Sequence, residues 1–178
     1  MKKILLLGFV GLLFAAPRGW AYLAGPGKRV RALSALEAAD TVKASTGRPT
    51  VILVYSTNSP ICRAMFPQFA DFNRKARDAG ATVLAFSTDG RIEARDVPGF
   101  LADYGVQVTP YWIRPWALGE FDLAFQRTGI LVGTQWTRPL LAIRAADGRI
   151  LYEAQGTQAD VKRAEAALAE ALTIAQYF

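Results

Sequence analysis

The sequence predicts an α/β fold of three layers, with a mixed central sheet built from a βαβ half followed by a β-hairpin and a last helix. Residues 50–55 (TVILVY) and 81–87 (ATVLAFS) are continuous apolar, β-branched runs, the pattern of strands covered on both faces. Between them, residues 60–79 place Ile61, Met65, Phe69, Phe72 and Ala76 at steps of three and four, which is a helical period. Strand, helix, strand in that order calls for a parallel crossover. Further on, residues 140–145 and 149–154 flank Ala146-Asp147-Gly148, a compact strand-turn-strand signal.

The chain opens with Lys2 and Lys3, an apolar block over residues 4–16, and small residues at Gly19 and Ala21. This is the layout of a secretory signal ending near residue 21. The apolar block is ended by Pro17-Arg18 and falls short of the ~20 residues a membrane-crossing helix needs. Residues 22–48 read as an extension holding one short helix: Ser34-Ala-Leu-Glu37 fits a capping box, Leu36 and Val42 with the intervening alanines supply the apolar positions, and Gly47-Arg48-Pro49 ends it. Residues 49–178 form the main domain. After the second strand come a short helix over 97–104, closed by Gly105, a partly extended stretch over 106–112 interrupted by Pro110, and a weaker helix over 120–127. Residues 157–176 carry Val161, Ala164, Leu168 and Leu172 on one face, as a terminal helix laid on a sheet would.

Composition excludes more chemistry than it suggests. The 178 residues include one cysteine and no histidine. The commonest general base, the Ser-His and Cys-His dyads and a conventional zinc site are therefore absent, as are Walker and dinucleotide-binding patterns. No cofactor and no metal is implied. The formal charge is +6, and Lys2, Lys3 and Arg18 account for half of it. No basic run with interleaved aromatics follows a phosphate backbone, so nucleic acid is not an expected partner. Export would place the chain where disulfides persist, yet a single cysteine cannot form one internally.

That cysteine lies in YSTNSPICRAMFP, residues 55–67. Ser59 stands where a helix N-cap would, ahead of Pro60, and Cys62 lies one turn further in. A free cysteine inside a helix is commonly a small, inert hydrophobe, and reactivity would need thiolate character together with exposure.

The stretch resembles the active centre of the thioredoxin superfamily, and within it the exported TlpA-type thiol-disulfide oxidoreductases. Cys62 matches the second cysteine of the family's W-C-x-x-C-R pattern, Arg63 the basic residue after it and Pro67 the helix proline. Tyr104-Gly-Val-Gln-Val-Thr-Pro110 resembles part of the insertion such proteins carry in mid-domain. Residues 128–143, followed by Asp147-Gly148-Arg149-Ile150, resemble the stretch around the family's cis-proline. The similarity runs from about residue 49 to residue 156. It implies a thioredoxin-like fold over 49–178 with a mid-domain insertion. Pro110 and Pro139 compete for the cis position. Pro139 lies directly ahead of the hairpin strand, so the resemblance implies a cis Arg138-Pro139 bond.

The departures from the pattern decide the expected function. Ser59 stands where relatives carry the attacking cysteine, Asn58 where they carry a tryptophan, and Leu53 where many carry a buried carboxylate. Without a base, a serine hydroxyl is a poor nucleophile. The expected protein lacks dithiol turnover and acts as a binding, accessory or assembly subunit for another envelope or membrane-complex protein. Membrane contact is expected only if the signal segment is retained. The alternative is a monothiol oxidoreductase in which Cys62 forms mixed disulfides. A peroxidase relative ranks below both, since no cysteine lies at 57–59. The candidate site is Ser59 and Cys62, with Asn58, Pro60, Arg138 and Pro139 around a groove that would pair with an extended peptide. Trp112 and Trp116, in the Tyr111-Trp-Ile-Arg-Pro-Trp116 segment, are a second candidate docking surface, with core filling as the competing reading.

Overall fold

The computed structural model describes residues 22–24, 28–116, 119–133 and 135–177. The expected signal segment, 1–21, lies outside them. Seven strands form one sheet: β1 (Tyr22–Ala24), β2 (Lys28–Leu33), β3 (Thr50–Tyr55), β4 (Thr82–Ser87), β5 (Tyr111–Ile113), β6 (Leu140–Arg144) and β7 (Ile150–Gln155). Their order is β1-β2-β5-β4-β3-β6-β7. β3 pairs in parallel with β4 and antiparallel with β6, and β6 pairs antiparallel with β7. The sheet is mixed, with the parallel half and the hairpin half that the sequence predicts.

Alternation along the central strands divides the core. Val51, Leu53, Tyr55 and Ala85 face one side, under α2 (Pro60–Asp78), α3 (Val97–Asp103) and α5 (Val161–Ile174). Ile52, Val54, Leu84 and Phe86 face the other, under α1 (Ala35–Ala44) and α4 (Glu120–Gln126). Every residue of β3 is buried, which accounts for its unbroken apolar run. In α2, Met65, Phe69, Phe72 and Ala76 lie in the core, while Ile61, one turn ahead of Met65, is 40% exposed. Pro67 sits inside α2, on its exposed side.

Two expectations are corrected, the apolar face of α1 and the start of the terminal helix. Leu36 does not anchor α1. The helix buries Ala35, Ala38, Ala39 and Val42, small residues at helical spacing that let it lie close to the sheet, and Leu36 points outward. The terminal helix starts at Val161 rather than 157, because the Asp160 carboxylate accepts the amides of Lys162 and Arg163 and fixes the cap there. It buries Ala171, and Leu172 is only partly covered. The stretch 106–112 is extended only where β5 pairs, from Tyr111 onward. Two strands were not legible, β1 and β2, both in the expected extension: β1 pairs antiparallel with β2 and β2 in parallel with β5, so this segment supplies two strands to the sheet and a helix to its face. The Ser34–Glu37 capping box is present, with both reciprocal hydrogen bonds formed.

Candidate functional site

β3 ends at Tyr55, and the chain turns through residues 56–59 into α2. Ser59 has extended backbone angles, φ −79° and ψ 120°, and its hydroxyl accepts the Cys62 amide at 3.4 Å. Pro60 takes the first helical position, where an amide would have no partner in any case. The Ser59 carbonyl accepts the Arg63 amide at 3.0 Å. Ser59 is thus an N-cap, and half-buried; Asn58 and Pro60 beside it are exposed.

A buried carboxylate holds this turn. Asp89 is 4% exposed and accepts the Ser56 hydroxyl at 2.6 Å, the Ser87 hydroxyl at 2.7 Å and the Thr57 amide at 2.9 Å. Its own carbonyl accepts the Trp112 indole N–H at 2.8 Å. Arg63, from the first turn of α2, returns its Nε to the Thr57 carbonyl at 2.5 Å. Three elements therefore converge on the 56–59 turn: the end of β4, the start of α2 and β5. Asp89 was missed in the sequence, where Thr88-Asp89-Gly90 looks like any turn. Leu53 is fully buried among apolar side chains.

Cys62 is fully buried in the core beneath this turn. Burial pushes its thiol up from the ordinary value, and the nearby Asp89 charge adds to that. Hydrogen bonds at Ser59 and Ser56 and the positive charge of Arg138 oppose the shift without overcoming it. The geometry supplies neither of the conditions that make a cysteine nucleophilic, exposure and a stabilised thiolate. Tyr55 is also fully buried, against Phe66 and Phe100, and its hydroxyl has no hydrogen-bond partner among the described residues. Desolvation raises its phenol well above the ordinary value, with the Asp89 and Cys62 charges acting the same way.

On the far side of β3, the Arg138-Pro139 peptide bond is cis. Leu140 pairs with Val54, which brings Pro139 beside the end of β3 and the turn that follows. Pro139 is buried, and its carbonyl accepts the Gly156 amide at 2.8 Å. Arg138 is half-buried. Its Nε donates to the Thr88 hydroxyl, and that hydroxyl donates to the Tyr55 carbonyl at 3.0 Å. The Arg138 guanidinium lies 5.0 Å from the ring centre of Trp136. Ser59, Cys62, Arg138 and Pro139 are therefore neighbours at one end of the sheet.

The other candidate surface is mostly core. Trp112 is buried at 4% exposure and Ile113 is fully buried, so core filling accounts for both. Arg114 is exposed and pairs with Glu37 at 3.2 Å. Trp116 is half-buried and packs on Phe121 and Trp136, at ring separations of 5.1 and 6.2 Å. Trp136, which drew no notice in the sequence, stacks on Phe121 at 4.4 Å and links this aromatic cluster to Arg138. Among the described residues, no group of histidine, cysteine or carboxylate side chains could hold a metal ion, and no helix is long and apolar enough to cross a membrane.

No family model and no curated protein matches the sequence. Solved structures do. The chain is similar to a thiol:disulfide interchange protein of the thioredoxin family from Chlorobium tepidum TLS, with a TM-score of 0.56 and 17% identity over 86% of this chain and 92% of that one. It is similar to a secreted Mycobacterium tuberculosis disulfide oxidoreductase homologous to E. coli DsbE, with a TM-score of 0.51 and 16% identity over 72% and 85%. It is also similar to BsSco, of the Sco family of cytochrome c oxidase assembly proteins, with a TM-score of 0.52 and 15% identity over 74% and 84%. The fold is thioredoxin-like, and it is the fold of thiol:disulfide interchange proteins.

Proposed function

We propose that this chain is an exported thioredoxin-like protein that has no dithiol turnover and binds a partner protein of the cell envelope as an accessory or assembly subunit. The observation that carries the reading is the pairing of Ser59 with Cys62. The hydroxyl at 59 is engaged in capping α2, and the thiol at 62 is buried with its pKa raised. No histidine is available to activate either group.

What remains at the site is a recognition surface. The Arg138 amide and carbonyl have no hydrogen-bond partner among the described residues, and they border the Ser59–Cys62 turn. An extended segment of a partner could pair with them in the manner of an added strand. Export rests on the signal-like residues 1–21, and a signal retained rather than cleaved would tether the domain to a membrane.

Capture of the full chain from its native envelope, with mixed disulfides trapped by acid quenching, tests this reading. A partner retained equally by Cys62→Ala supports non-covalent recruitment. A partner held only through a Cys62 disulfide overturns it in favour of monothiol exchange, the reading that the opposing effects of Arg138 and Ser59 on the thiol would favour.

A further inference from the structure

We infer that Arg138 is a built carboxylate-binding element, and that the segment recognised at this site is an acidic peptide whose Glu or Asp side chain docks on it. The inference rests on the peptide-binding reading above and adds the chemistry of the partner.

Two contacts fix the guanidinium. Its face lies over Trp136, which is itself stacked on Phe121 at 4.4 Å, and Phe121 stacks on Phe125 at 4.3 Å. This column of rings runs down into the core, where Phe121 and Phe125 are fully buried. The inner edge is tied through Nε to the Thr88 hydroxyl. Nη1 and Nη2 carry no hydrogen bond or ion pair among the described residues.

An arginine held at its face and at Nε has already lost the rotamer freedom that an ordinary surface arginine would lose on binding. Its outer edge presents two coplanar nitrogens, the geometry that takes a carboxylate in a pair of parallel hydrogen bonds. Asp89 does not fill this role. Its oxygens are taken up by Ser56, Thr57 and Ser87. The amide and carbonyl of Arg138, unpaired among the described residues, lie on the same residue, so a strand pairing there would carry its side chains past the guanidinium. That continuity favours a peptide carboxylate over a free small anion.

The test uses the full chain and synthetic eight-residue peptides of alternating valine and threonine, with one glutamate moved along the sequence. Glutamine counterparts, acetate and inorganic phosphate serve as controls. Tighter binding of one glutamate register than its glutamine counterpart, by about tenfold or more, is expected from a charge-assisted pair. The preference should weaken with added salt and vanish in Arg138→Gln. Arg138→Lys, which keeps the charge and loses the fork, should retain only part of it. Equal binding of glutamate and glutamine peptides overturns the carboxylate assignment and leaves peptide binding standing. Phosphate competing as well as the glutamate peptide overturns the peptide-side-chain source. If no peptide of either kind binds, the peptide-binding reading fails, and this inference with it.

Discussion

The Asp89 carboxylate accepts the Ser56 hydroxyl at 2.6 Å across 33 residues of chain, and through that contact the end of β4 sets the turn that leads into α2. With Thr57 and Ser87 also donating to it, Asp89 is a buried charge whose stability depends on all three partners. Removing it strands those donors in a dry environment. Asp89→Ala should lower unfolding stability by about 3 kcal/mol in urea titration, and Asp89→Asn by less, since the amide still offers one acceptor. A loss within about 0.5 kcal/mol for the alanine variant would show that the turn does not depend on the carboxylate.

Ser59→Ala should cost about 1 kcal/mol, the usual worth of a side-chain cap, and, by removing a hydrogen bond that opposes the rise of the Cys62 thiol, should leave that thiol no more reactive. The same denaturant titration checks it. Ser59→Gly should cost less than Ser59→Ala, because glycine is tolerated at N-caps.

Much of this arrangement could be read from the sequence, and the unread parts have a common cause. β3 and α2 were legible because burial on both faces, or on one helical stripe, leaves a periodic trace in residues 50–55 and 60–79. Ser59, with Pro60 behind it, was legible as a cap. β2 was not: Lys28, Arg29 and Arg31 interrupt its apolar residues, and the strand exists because β5 pairs with it from 80 residues downstream. Asp89 and Trp136 were missed for the same reason. Each is a lone residue in a turn or loop, and its role comes from partners elsewhere in the chain, Ser56 and Thr57 for one and Phe121 and Arg138 for the other.

Tyr55 carries a fully buried hydroxyl with no partner among the described residues. Tyr55→Phe should therefore leave stability unchanged or raise it by about 1 kcal/mol, in contrast to the usual loss for a core substitution. Thermal unfolding at neutral pH is the measurement. A loss of about 1 kcal/mol or more would mean that the phenol is bonded.

Alkali should destabilise the fold in two steps. The Cys62 thiol is raised by burial, so folding holds its proton. Below the unfolded thiol's value of about 8.5 both states are protonated and the contribution is fully present. Between that value and the higher folded one, the unfolded chain releases a proton that the folded chain keeps, and stability falls as pH rises. Tyr55, raised in the same direction, adds a second decline from about pH 10. Stability followed from pH 7 to 11 should show both, with the first absent in Cys62→Ala and the second absent in Tyr55→Phe.

Ser59→Cys places a thiol at the N-cap one turn from Cys62. We expect the double-cysteine form to close a 59–62 disulfide under oxidation and to gain weak dithiol exchange activity, read by thiol titration and insulin reduction. A folded variant that does neither would mean that the turn at 59–62 does not have an oxidoreductase geometry.

The most direct measurement is the rate of alkylation of Cys62 by iodoacetamide in the native full chain from pH 6 to 9. Labelling should run no faster than the chain opens, accelerating only on unfolding, with the thiolate titration shifted above that of a free thiol. Labelling within minutes at neutral pH, with a titration midpoint below that of a free thiol, would contradict this and make Cys62 a working nucleophile.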